Sequence, residues 1–192
     1  DCAEASSLYS EIAFLDDCHP TRDNNLAWPI IDKSSAWKQY QKEYDFALAI
    51  GNNKSRLAMY HALSSSNARL PNIIHPKAVI SKHATLGQGN VVFANAVINP
   101  GAAIANACIV NTAATIDHDC KLANAVHISP GANIAGTVKI GEISWFGVGS
   151  SSVQSIDIAE NSQIGAGAAV TKNTEANGLY VGVPAKRIKD ID

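Results

Sequence analysis

The chain of 192 residues is long enough for one or two domains, and 46% hydrophobic residues supply a substantial core. A formal net charge of -2 provides no basic field for nucleic acid, so a nucleic-acid partner is not expected. No apolar run approaches the roughly 20 residues needed to span a bilayer, and the opening DCAEASSLYSE has neither the positive region nor the apolar stretch of a signal peptide, so a cytoplasmic protein is expected.

Residues 1–70 read as an alternating α/β unit. EIAFLDD, from Glu11 to Asp17, predicts a short strand running into an acidic turn, and SSAWKQYQKEY predicts a short helix capped by Ser34 or Ser35. DFALAIGNN predicts a buried strand ending in a turn, and SRLAMYHALSS an amphipathic helix. Strands alternating with helices imply a small parallel sheet, whose ligands sit at the carboxyl ends of the strands. Asp16, Asp17, Gly51, Asn52 and Asn53 fall on that edge and are candidates for holding a polar ligand. Asn and Asp serve such positions equally well as turn formers and helix caps.

Residues 71–192 follow a six-residue beat. From Ile74, steps of six land on apolar residues as far as Val170, broken only at Ser152, and four residues after each the chain is nearly always small or short-branched. A helix needs a period near 3.6 and a simple strand a period of 2. The pattern instead predicts a hexapeptide β-helix, a triangular prism with about eighteen residues per coil, whose handedness the periodicity leaves open. No repeat buries its apolar row alone, so stacking makes the core. Cys108 and Cys120, two of the four cysteines, share the inward small position and read as buried reduced thiols.

Few residues in the repeats break the small, neutral pattern. NTAATIDHDC sets Asn111, Asp117, His118 and Asp119 in adjoining corners, and His127 follows half a coil later. An imidazole beside a carboxylate has its tautomer fixed and its basicity raised, leaving the other nitrogen to take a proton near neutral pH. His75 and His83 lack such a setting and read as surface residues.

The order FLDD, AIGNN followed by an Arg, INPGA, NTAATIDHDC, VHISPGANIAG and YVGVPAKRIK resembles the PglD-like family of hexapeptide-repeat sugar acetyltransferases over residues 11–189. The resemblance implies an α+β chain with a small N-terminal Rossmann-like unit and a left-handed parallel β-helix, assembled as a homotrimer with acetyl-CoA bound between neighbouring prisms. It implies N-acetylation of the 4-amino group of a UDP-linked 4-amino-4,6-dideoxy sugar. His118 would be the general base, Asp119 the acid that orients it, Asn111 a group positioning the amine, and His127 a group near the thioester. Asp16, Asp17, Gly51, Asn52, Asn53 and Arg56 would form the base and phosphate side of the nucleotide pocket. Gly136, Gly147, Gly165, Ala166, Lys186 and Arg187 would contact acetyl-CoA, the last two at its phosphates. No metal is expected. Family members carry a strand and a Gly-rich phosphate turn ahead of the helix into which DCAEASSLYS falls, so the expected chain starts inside that unit and its phosphate loop is unassigned. Some members are fused to a membrane-bound sugar-phosphate transferase, making such an enzyme a candidate partner.

Three other readings are compatible with a β-helix. O-acetylation of sialic acid or another sugar hydroxyl would use the same histidine. A γ-type carbonic anhydrase needs three histidines on zinc, and the spacing from His118 to His127 does not match its close pair. A non-catalytic surface would show a regular outward ladder of Thr, which the repeats lack.

Overall fold

The computed structural model describes residues 1–191. The N-terminal part opens with helix α1 (Cys2–Ser6), in keeping with the expected helix, and then forms a three-stranded sheet from β1 (Phe14–Leu15), β2 (Asn24–Asn25) and β3 (Trp28–Asp32) in the order β1-β3-β2. The β1–β3 pair is parallel, although β3 is not one of the expected strands, and β2 pairs β3 antiparallel. The strand expected in DFALAI is not part of any ladder. This segment runs extended, with the Phe46 N–H donating to the Arg69 carbonyl and Leu48 buried, while the place beside β1 is taken by WPIID. Pro29 weakens the strand signal of that segment, yet it lies on β3 opposite only a two-residue partner.

Two helices follow. The expected serine cap is corrected: Lys33 is the N-cap of a 3₁₀ turn over Ser34–Ala36 that leads into α2 (Trp37–Tyr40), and the Ser34 N–H is capped from a distance by the Asp17 carboxylate at 3.1 Å. The long helix α3 (Asn53–Ser65) starts at Asn52, whose side-chain oxygen accepts the Ser55 N–H at 2.9 Å.

The rest of the chain is a left-handed parallel β-helix with three faces of two-residue strands. The first face carries Ile73–Ile74, Val91–Val92, Ile109–Val110, His127–Ile128, Trp145–Phe146, Gln163–Ile164 and Gly178–Val181, closed by the antiparallel Lys186–Asp190. The second runs from Val79–Ile80 through Thr115–Ile116 to Ala169–Val170, and the third from Thr85–Leu86 through Lys121–Leu122 to Asp157–Ile158. As far as Val170 strand partners are eighteen residues apart, as in Ile109↔His127 and Thr115↔Asn133, so each side chain stands above its counterpart one coil earlier.

The second residue of each strand points inward. Val92, Val110, Ile116, Ile128 and Phe146 are fully buried, with Ala96, Ala114, Cys108 and Cys120 filling the corners. Both thiols are free and donate to backbone carbonyls of Ala123 and Ala135 at 3.1 Å, and burial pushes the Cys108 thiol up to about 12. The polar interruption at Ser152 has a structural counterpart. The Ala135 N–H donates to the Ser152 hydroxyl at 3.2 Å, and only Asn133↔Ser151 remains paired between those two strands.

Arg56, fully buried, joins the two parts through bonds from α3 to the carbonyls of Ala107 and Ala125, while Asn53 reaches those of Ile143 and Ser144. These acceptors lie at one edge of the prism in successive coils, between the third and first faces. Deleting an inward side chain leaves a void that neighbouring coils cannot close, so Ile128→Ala is expected to lower stability by about 2–5 kcal/mol. Val79→Ala, on an exposed outward position, should change it by no more than about 0.5 kcal/mol in the same denaturant titration.

Candidate active site

His118 stands at the corner that follows Thr115–Ile116, between the second and third faces, and is exposed. Its Nδ1 lies 2.9 Å from Asp119 Oδ2. A carboxylate accepting from Nδ1–H leaves the lone pair on Nε2. The neighbouring Asp117 fixes the backbone beneath the ring: its Oδ1 accepts the His118 N–H at 2.7 Å and the Asn99 amide at 2.8 Å. The hydrogen bond to Asp119 raises the His118 pKa above the ordinary imidazole value, with the charges of Asp117 and Asp119 acting the same way. The Asn99 amide and the His118 N–H hold Asp117 below the usual carboxylate range.

Two glycines make room for this pair. Asp119 is left-handed, at φ 60°, which brings its carboxylate over Gly101, where a Cβ would lie 2.3 Å from Oδ1. One coil after His118, a Cβ on Gly136 would lie 2.5 Å from Nε2. Gly136, expected at the acetyl-CoA site, therefore lies directly against the imidazole. Beside the corner, Val97, Asn99, Thr115, Asp117, Asn133, Ser151 and Ser152 line an open groove of about 390 Å³ on the second face.

Asn111 and His127 are brought together, but away from His118. His127 lies on the first face, and its Nε2 is 3.4 Å from Asn111 Nδ2. Within one chain, the expected grouping of Asn111, His118 and His127 is corrected to two clusters on different parts of the prism, because the path from His118 to His127 crosses the third face. His127 stacks on Trp145, with ring centroids 5.8 Å apart and planes inclined by 12°, and the Trp145 indole N–H donates to Ser129 Oγ at 2.7 Å. Burial, assisted by the charge of Arg56, pulls the His127 pKa down to about 4, so the ring is neutral at pH 7. Trp145 was missing from the sequence-derived candidates. Its signal was the eighteen-residue offset from His127, which a parallel ladder converts into ring stacking.

A second cleft, of about 130 Å³, lies between the turn after DFALAI and the first face, lined by Gly51, Asn52, Asn53, Lys54, Ile143, Trp145, Asn161 and Gln163. Gly51 and Asn52 are exposed there, as a ligand edge requires. Other candidates have internal duties. Asp16 accepts the Cys18 N–H at 2.9 Å and pairs with Arg22 at 3.1 Å, the first of these holding its carboxyl below the usual range, and Asp17 caps Ser34. Arg56 as a direct phosphate ligand is corrected: it is sealed from solvent and donates to protein acceptors. Arg187 is neutralised by Glu175 at 2.6 Å and Asp190 at 2.8 Å, while Lys186 is exposed. Gly147 and Gly165 donate their N–H groups to the next coil, at Ile164 and Tyr180, and Ala166 is exposed. Among the described residues, no three His, Cys, Asp or Glu side chains converge as a metal site, and no helix is long and apolar enough to cross a membrane.

The family model of the PglD N-terminal domain matches residues 1–63. Among solved structures, the acetyltransferase domain of PglB from Neisseria gonorrhoeae FA1090 is 38% identical, with a TM-score of 0.93 over 97% of this chain and 93% of that one. The same domain has been solved in complex with acetyl coenzyme A. PerB from Caulobacter crescentus, in complex with CoA and GDP-perosamine, is 32% identical, with a TM-score of 0.87 over 92% of this chain and 84% of the other.

The His118 ring is expected to titrate above the ordinary value of about 6.5 in an NMR pH series. Asp119→Asn, which keeps an acceptor and removes the charge, should move the midpoint downward, while His127 stays unprotonated down to about pH 4.

Proposed function

Because the chain belongs to the PglD family of hexapeptide-repeat sugar N-acetyltransferases, we propose that it transfers the acetyl group of acetyl-CoA to the 4-amino group of a UDP-linked 4-amino-4,6-dideoxy sugar. The observation that carries the catalytic part is the exposed His118–Asp119 pair, bonded at 2.9 Å beside the open groove on the second face. The complexes of relatives with acetyl-CoA and with CoA plus GDP-perosamine support the donor and the acceptor class.

In this reading the sugar amine attacks the thioester carbonyl while His118 Nε2 accepts its proton, and Asp119 stabilises the imidazolium that forms. The tetrahedral oxyanion collapses, the C–S bond breaks, and CoA leaves as a thiolate that takes up a proton. No acyl-enzyme is needed. A raised pKa suits a base that must accept a proton from an ammonium-like centre, because the driving force for transfer grows with basicity. The oxyanion needs a fixed donor, for which His127 or a main-chain N–H in VHISPGANIAG is the candidate.

A single prism holds His118 on one corner and the Asn111–His127–Trp145 cluster on another face, which supports a homotrimer in which one protomer's corner meets a neighbour's first face. Acetyl-CoA would lie in that seam, with Lys186 and Ala166 as candidate contacts. The turn at Gly51 and Asn52 would hold the nucleotide end. The product would serve glycan assembly, with a membrane-bound sugar-phosphate transferase as the candidate partner that the family resemblance implies.

A thiol-release assay with acetyl-CoA against UDP- and GDP-linked amino sugars and sialic acid tests this reading. Release is expected with the amine acceptors, and release with sialic acid alone would overturn N-acetylation. His118→Ala should lower turnover by about 10²–10⁴ fold, as for loss of a general base, with the oligomer unchanged in size; turnover equal to wild type would remove His118 from the mechanism.

A further inference from the structure

Arg56 is buried completely at the junction of the two parts of the chain, and among the described residues it forms no ion pair with a carboxylate. Its Nε donates to the Ala107 carbonyl at 2.7 Å. One terminal nitrogen donates to the carbonyls of Ile50 at 2.8 Å and Gly51 at 3.2 Å. The other donates to Asn53 Oδ1 at 2.7 Å and the Ala125 carbonyl at 2.9 Å. A guanidinium has five N–H donors, and these contacts give each one an acceptor. Burial lowers the pKa only to about 10, so the charge persists at neutral pH, balanced by backbone dipoles.

The direction of these bonds matters more than their number. Ala107 and Ala125 are equivalent corners of successive coils, and Asn53 extends the series by donating to Ile143 at 2.9 Å and Ser144 at 3.2 Å. On the other side every partner belongs to the turn Ile50–Asn53. That turn lines the cleft facing Trp145 and Gln163. It contains Gly51, which has no atom within 4 Å of where its Cβ would lie, so no side chain packs at that position. The hydrogen bonds of Arg56, with those from Asn53 to Ile143 and Ser144, tie the turn to the prism. Lys has a single ammonium and cannot span acceptors fixed on two coils and the turn together.

We propose that Arg56 is a positioning residue for the acceptor, setting the distance between the Ile50–Asn53 turn and the first face so that the cleft fits the nucleotide-linked sugar. This rests on the reading that the cleft receives the acceptor. Steady-state kinetics on Arg56→Lys, using the UDP- or GDP-linked amino sugar that the wild type turns over fastest, separates this role from general stabilisation. The Michaelis constant for the sugar nucleotide should rise about tenfold or more, while that for acetyl-CoA and kcat stay within about twofold, the pattern of lost uniform binding. A folded variant with an unchanged acceptor constant, or with both constants raised equally, overturns the proposal. If Arg56→Lys does not fold, Asn53→Ala decides by the same split, since it removes one Arg56 bond and the ties to Ile143 and Ser144. Should the wild type acetylate no acceptor in the panel, the functional reading has failed, and amide hydrogen exchange of residues 50–53 tests Arg56 alone. Faster exchange in the variant supports positioning, and unchanged exchange sinks it.

Discussion

Parallel strands stacked in register at intervals of eighteen residues are the constraint on which the rest of the molecule depends. Every inward residue must fit above the one a coil earlier, and every corner must bend with backbone almost touching backbone. This is why the interior is a column mostly of Val, Ile and Leu and why Ala, Cys or Ser most often follows four residues later. It also makes any outward side chain a neighbour of those eighteen residues away. A functional group on such a surface is thus positioned by its vertical neighbours as much as by its own turn.

The His118 corner shows that dependence directly. Asp119 extends over Gly101 and the imidazole lies against Gly136, so the acid–base pair occupies space that side chains in the adjacent coils would fill. Asn99 stands one coil before Asp117 and bonds to it, completing a vertical network that fixes the backbone under the ring. On the first face the same geometry produces the opposite electrostatic outcome. His127 is stacked on Trp145 and desolvated, so it remains neutral where His118 is made more basic. Two histidines nine residues apart thereby acquire different chemistry from environment alone.

The repeat region was legible because its period is carried by every sixth residue and cannot be satisfied by another regular structure. The N-terminal unit was less so. Its short elements leave little periodicity to read: β3 contains a proline, and DFALAI has a strand composition but lies outside the sheet. Asn52 follows from a local rule as a cap, whereas Asp17 caps Ser34 from seventeen residues away, a contact that only the folded chain creates. Arg56 illustrates the difficulty most clearly, since an arginine after a Gly-Asn turn suggests a phosphate ligand, whereas two of its acceptors come from residues 51 and 69 positions away in the chain.

The amino-acid sequence by itself determined the prism, the inward row, the buried thiols and the pairing of His118 with Asp119, because each follows from a short-range period or from adjacent residues. Tertiary structure decided which distant groups meet. It separated His118 from Asn111 and His127, set Trp145 on His127, and enclosed Arg56 among carbonyls of different coils. The physical reason is that hydrophobic periodicity specifies which side faces inward, while contacts across faces and between units depend on the three-dimensional path of the chain.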